Sequence, residues 1–170
     1  FWVNVTSASK ADVDNLRNLA GVSAVQARYS GEMDTPDLGK DVSLMVHAYD
    51  GDMTINVPTV TQGETLAPSD LRGCLLQKDF AEAHGLSVGD TIKLTVSDTD
   101  VKFVIRGIVL SAEHVITAKD VTPDPEHYGF AIISKRAVEA LPFNEVLVSL
   151  SPGADSAAVE ESIQSLLPQA

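Results

Sequence analysis

The order of apolar and polar positions divides the chain into short elements. Phe1 to Val5 is a β-like run, and Ser9 followed by Asp12 has the form of a capping box with Asp in the acidic position, so a helix is expected next. Val13, Leu16 and Leu19 give that helix one apolar stripe, and Gly21 is placed to end it in a left-handed conformation. Val22 to Tyr29 reads as a second strand, completing a β-α-β opening. Gly31 to Lys40, with Pro36 and Gly39, reads as a polar loop. Beyond it Val42, Leu44, Val46 and Ala48 alternate with Ser43, Met45, His47 and Tyr49, which predicts a strand with two unlike faces. After the Asp50-Gly51-Asp52 turn, Pro58 confines the run Met53 to Val60 to an edge or a bulge.

From Gly63 to Val109 turn residues come more often. A short helix around Lys78 to His84 is followed by Gly85, Gly89 and two β-branched strands, Thr91 to Val96 and Val101 to Val109, joined as a hairpin by Ser97-Asp98-Thr99-Asp100. Ser111 to Tyr128, with Pro123 and Pro125, reads as a loop. Gly129 to Ile133 is a strand, Ser134 caps a short helix to Leu141, and Glu145 to Leu150 is another strand. Asp155 caps a last helix whose Val159, Ile163, Leu166 and Leu167 form its apolar face, stopping before Pro168. The fold class is therefore α+β. Both chain ends, 1–50 and 126–170, build one α/β subdomain, and 51–125 reads as an inserted, mostly β subdomain within a single domain.

Composition narrows the function. The 170 residues are 44% apolar and carry 24 acidic against 12 basic side chains, a net charge of −12 at pH 7. No cluster of Lys and Arg offers a phosphate-binding surface, so nucleic acid is not an expected partner. Peripheral binding to an anionic bilayer loses its electrostatic contribution for the same reason. The single cysteine, Cys74, excludes an internal disulfide and reads as a small buried hydrophobe in the run Cys74-Leu75-Leu76. There is no apolar run of transmembrane length. The chain opens in strand register without an initiating Met, which leads us to expect a domain cut from a longer polypeptide.

Motifs for chemistry are few. Neither G-x-G-x-x-G nor G-x-x-x-x-G-K-[ST] occurs, and Gly21-Val22-Ser23-Ala24-Val25 lacks the closing glycine of a nucleophile elbow. Asp50, Asp52 and Thr54 begin like a calcium loop, but Ile55 stands where the turn needs Gly. One loop gathers Glu113, His114, Asp120, Asp124, Glu126 and His127, and imidazoles with carboxylates are the donors a divalent metal takes. Of these, His114, Asp120, Asp124 and His127 are the metal candidates. Their spacing fits no known ligand pattern, so solvated loop groups are the plainer reading. His47 is placed on the polar face of its strand, and His84 at a helix C-terminus. No catalytic set and no cofactor site are expected.

The middle of the chain carries a resemblance. Gly63-Glu64-Thr65-Leu66, then Ala81, Gly85-Leu86, Gly89-Asp90, Ile92 and Leu94, then Phe103, Ile105 and Gly107-Ile108 follow the order of the extracytoplasmic domain of FtsX/MacB-type ABC transporter permeases. Asp12 to Val25 is similar to the entry of that domain, after the first membrane helix. The resemblance implies a porter-like subdomain built from both ends and an inserted β subdomain. It also implies membrane helices flanking both termini, which would place Phe1 and Ala170 at one end of the molecule. Its expected partners are the rest of the permease, an ATP-binding subunit reached through the membrane part, and a twin permease, an adaptor or a cell-wall enzyme. Its motif positions are turn and core residues, so it brings no catalytic, cofactor or metal residue. The expected function is a non-catalytic domain on the extracytoplasmic side of the cell membrane, coupling ATP-driven motion to export or partner engagement. The rival is a free-standing secreted α+β module binding a metal ion or small polar ligand through the His/Asp loop, and a metal-dependent enzyme stands third.

Overall fold

In a computed structural model that describes residues 2–114 and 123–168, the elements follow the apolar pattern closely where one face meets solvent. The opening strand β1 (Trp2–Ala8) leads into α1 (Lys10–Arg17) through the expected capping box. The Asp12 N–H donates to Ser9 Oγ at 3.1 Å, and the Ser9 N–H donates to Asp12 Oδ2 at 2.8 Å. Each satisfies a backbone donor that the first helical turn leaves free. At the far end Asp155 caps α3 (Ser156–Leu166) by accepting from Ala157 and Ala158, as the sequence predicts.

Between them lie β2 (Val22–Asp34), β3 (Ser43–Tyr49), β4 (Thr59–Gly63), β5 (Gly73–Gln77), α2 (Lys78–Ala83), β6 (Thr91–Val96), β7 (Thr99–Leu110), β8 (Tyr128–Ser134) and β9 (Phe143–Leu150). Short 3₁₀ turns follow β7 at Ala112–His114 and β8 at Lys135–Val138. Among the described residues the nine strands form one sheet in the order β1-β9-β2-β3-β8-β5-β7-β4, with β6 also paired to β7. The pairings β3–β8 and β5–β7 are parallel and the others antiparallel.

Several boundaries differ from the sequence reading. The run at 31–34 continues β2, because Gly31 to Asp34 pair with Val46 to Ser43. The hairpin turn is only Ser97 and Asp98, both left-handed at φ 47° and 64°, the conformation a two-residue hairpin loop demands. The run Gly73–Gln77, read only as a buried apolar patch, is an interior strand between β8 and β7. Pro58 directly precedes β4, which stands at the edge with a bulge between Val60 and Gln62, as Pro58 led us to expect. The expected placement of Phe1 and Ala170 falls outside the described residues.

Among the described residues three apolar clusters fill the interior. On one face α1 and α3 cover β1, β9 and the first half of β2, burying Val13, Leu16, Val146, Val148, Val159 and Ile163. Farther along that face the sheet curls until β6 touches β2, enclosing Leu44, Val46, Leu76, Phe80, Leu94, Phe103, Ile105 and Ile133. Asp37 closes this curl by accepting the Lys93 N–H on both carboxylate oxygens at 3.2 Å. The opposite face buries Tyr49, Leu75, Phe130, Ile132 and Leu147 beneath Met53, Ile55, Val60 and Leu66.

The motif positions of the resemblance are explained by this packing. Gly63 and Gly107 stand opposite each other, and a Cβ on either would lie 2.2 Å from the Arg106 carbonyl or 2.4 Å from that of Glu64. Only glycine lets β4 and β7 approach so closely. Asp90 closes the turn after α2 by accepting the Ser87 N–H at 2.8 Å, and its carbonyl accepts the Ile105 N–H at 2.9 Å.

Candidate functional site

Alternation along β2 puts Gln26, Arg28, Ser30 and Glu32 on one side and Val25, Ala27 and Met33 on the other. β2 is an interior strand, and the opposite face of the sheet is covered. Gln26 is 3% exposed and Arg28 is 0% exposed. A buried polar group without partners costs a few kcal/mol, so each of these side chains needs a defined set of bonds.

Arg28 is the hub. It is the residue at which β2 changes neighbours, pairing with both Tyr49 of β3 and Glu145 of β9. Its side chain reaches the same two residues. Nε donates to Glu145, Nη1 donates to the Tyr49 hydroxyl at 2.9 Å, and the guanidinium lies 5.4 Å from the Tyr49 ring centre. Both terminal nitrogens also donate to Glu113, Nη1 at 3.1 Å, in a two-pronged pair. Burial opposes the charge on Arg28, but the Glu113 hydrogen bonds and the surrounding negative charge outweigh it and hold the guanidinium protonated, above its ordinary range. Burial is also the main reason that the Tyr49 hydroxyl is pushed up.

The neighbouring positions are satisfied in turn. The Gln26 amide donates to the Asp50 carbonyl at 2.9 Å and accepts from the Thr54 N–H at 2.9 Å and the Thr54 hydroxyl at 3.0 Å. Asn56 donates to Glu113 at 3.2 Å from a left-handed backbone at φ 54°. Asn144 bridges the Ser30 N–H and carbonyl at 2.7 and 2.8 Å. Ser30 Oγ lies 2.8 Å from His47 Nδ1, and Glu32 accepts from Ser43 Oγ at 2.7 Å. The Ser30–His47 spacing suits a nucleophile and its base, yet neither residue lines the open cleft of about 590 Å³ beside β2. That cleft is bounded by Lys10, Arg17, Val22 to Gln26, Asp50 to Asp52 and Thr54.

The structure places only some of the residues singled out by sequence. Glu113 reaches Arg28 of β2 and pairs with it. Asp124 and His127 bond each other at 2.9 Å with both side chains more than half exposed. Asp120 and the side chain of His114 lie outside the described residues, and among the described residues no group of three His, Cys, Asp or Glu could hold a metal. His47 corrects its expected place: it is 4% exposed, because both faces of β3 are covered. The His84 ring lies 4.4 Å from the Phe80 ring, tilted against it, and its Nε2 is buried with no hydrogen-bond partner among the described residues. Cys74 is buried in β5, and desolvation pushes its thiol up to about 12, which matches the reading of an inert core residue.

Sequence reasoning missed Gln26, Arg28, Tyr49, Asn56 and Glu145. The one local signal was an Arg inside a strand between Ala27 and Tyr29, and nothing in the neighbouring residues says whether water or protein covers it.

Comparison with known proteins adds a family. The model described as MacB-like periplasmic core domain matches residues 3–166. The extracellular domain of the noncanonic ABC-type transporter YknZ from Gram-positive bacteria is similar in structure. Its TM-score is 0.66 at 16% identity, covering 95% of this chain and 82% of that one. The periplasmic region of MacB from Actinobacillus actinomycetemcomitans gives a TM-score of 0.60 at 15% identity, covering 97% and 74%. No curated protein matches in sequence.

Proposed function

The chain belongs to the MacB-like periplasmic core domain family, and from that premise we propose that it is the outward-facing, non-catalytic domain of an ABC transporter permease. The observation that carries this reading is the match across residues 3–166, within which the motif positions Gly63, Gly85, Gly89, Asp90 and Gly107 serve turns and close strand contacts. In this reading ATP hydrolysis takes place on a separate nucleotide-binding subunit and reaches the domain through membrane helices on both flanks. No helix among the described residues is long and apolar enough to cross a membrane. In this reading the membrane helices flank the domain, which sits on the extracytoplasmic side of the cell membrane.

Two further points complete the proposal. Residues 1–50 and 126–170 act as one porter-like part and 51–125 as the part inserted into it, although one sheet runs through both. The domain engages a twin permease, an adaptor or a substrate by moving, and the differential contact that couples ATP use to that motion must exist in two states. The test is to read the gene on either side of residues 1 and 170. Apolar spans of about 20 residues immediately outside both ends are expected. A signal peptide just upstream with a stop codon just downstream would overturn the proposal in favour of a secreted module.

A further inference from the structure

Two crossovers carry the chain between the part built from its ends and the middle. One is the stretch between β3 and β4, and the other lies between β7 and β8. Two successive inward positions of β2 hold both of them. Gln26 grips the first at Asp50 and Thr54. Arg28 grips the second at Glu113. The crossovers are tied to each other where Asn56 donates to Glu113.

We propose that Gln26 and Arg28 form a clasp that fixes both crossovers to β2, so that a displacement of β2 is passed to β4 and β7 through the clasp. The permease reading supplies only what drives the displacement, and the clasp itself rests on the bonds above. Arg28 is a positioning residue, set where β2 leaves β9 for β3, and its side chain joins both of those strands to the 3₁₀ turn that follows β7.

The electrostatics make this joint discrete rather than elastic. The Arg28 side chain is 0% exposed, and those of Glu113 and Glu145 are 12% and 13% exposed. A buried ion pair adds little net stability, because desolvation offsets its attraction, but drawing Glu113 away leaves the fully buried Arg28 guanidinium with one carboxylate, Glu145, where it had two. The clasp is therefore either engaged or hydrated, which is the two-state behaviour that coupling between distant parts requires.

Amide hydrogen exchange on the 170-residue chain tests it, comparing the native protein with Gln26→Leu, which removes the grip on Thr54, with Arg28→Met, and with the milder Glu113→Gln, which leaves the Arg28–Glu145 pair in place. The expected result is exchange at least about tenfold faster at residues 53–56 and 111–114, with the β6–β7 hairpin and α3 unchanged. Unchanged exchange at 53–56 and 111–114 overturns the clasp. So does an equal rise everywhere in Glu113→Gln, which would make Glu113 a contributor to stability alone. In the full permease with its ATP-binding subunit, Glu113→Gln is expected to keep ATP hydrolysis and lose at least about tenfold in transport coupled to it. Unchanged coupled transport overturns the clasp as a transmitter. If the flanking gene holds no membrane spans, the permease reading fails separately, and the exchange pattern alone decides the clasp.

Discussion

The layer under α1 and α3 and the curled sheet around Phe103 share one strand, β2, yet they bury their side chains on different terms. In the first, Val3 and Val5 of β1 point inward while Asn4 and Thr6 meet water, and the helices lay single apolar stripes against the sheet. In the second, alternate residues of β3 enter different clusters, Leu44, Val46 and Ala48 on one face and Tyr49 on the other. Alternation of apolar and polar residues thus marks a solvated face only where nothing else covers it, and chain from elsewhere in the sequence decides that.

Substitutions in the two regions can break or sharpen this contrast. The largest effect is expected at Leu94, fully buried inside the curl, where strands surround the side chain and cannot close on a void. Leu94→Ala should cost toward the upper end of about 2–5 kcal/mol, read from urea midpoints. Leu16→Ala, equally buried but on an eight-residue helix free to settle inward, should fall toward the lower end of the same range. Equal costs at the two sites would erase the distinction drawn between them.

Smaller effects belong to the surface of each region. Ser9→Ala removes one half of the capping box and should cost about 1 kcal/mol. On the other side of the molecule Asp70 pairs with Arg106 at 2.9 Å and accepts from the Arg72 and Gly73 N–H groups. Burial raises its pKa, but these partners outweigh burial and hold the carboxyl below its ordinary value. A carboxylate with a depressed folded-state pKa contributes its full stability above the unfolded value of about 3.9 and loses it as pH falls through the folded one. Asp70→Asn should accordingly lower stability by under about 1 kcal/mol at neutral pH and flatten the acid limb of a melting-temperature profile. The smallest change is expected for His127→Ala, within about 0.5 kcal/mol, because its one described partner, Asp124, is exposed like itself.

Legibility in the sequence follows the same division. The capping box at Ser9 and Asp12, the Asp155 cap and the stripe on α3 were readable, since each is set by residues within one or two turns; Gly21 is left-handed as expected, but it does not end α1, which stops earlier with Asn18 at its C-cap. The interior strand β5 was not readable, because its four buried residues, Gly73 to Leu76, are covered on both faces and carry no period. The Arg28 cluster was harder still. Its five members, Arg28, Tyr49, Asn56, Glu113 and Glu145, are up to 117 positions apart, and each is an ordinary residue in its own neighbourhood. The loop that did attract notice, with its histidines and acids, was conspicuous by proximity in sequence. In space its Glu113 reaches Arg28 of β2, and Asp124 bonds His127.

Cys74 is the single thiol of the sequence, and β5 seals it from reagents that attack thiolates at neutral pH. A cysteine introduced by Glu160→Cys on α3 or Lys102→Cys on β7, both exposed positions, would then be the one site that takes a maleimide dye. The native core residue can stay in place, and a dye pair on the doubly substituted chain would report the separation of the helix-covered layer and the hairpin as a distance in solution.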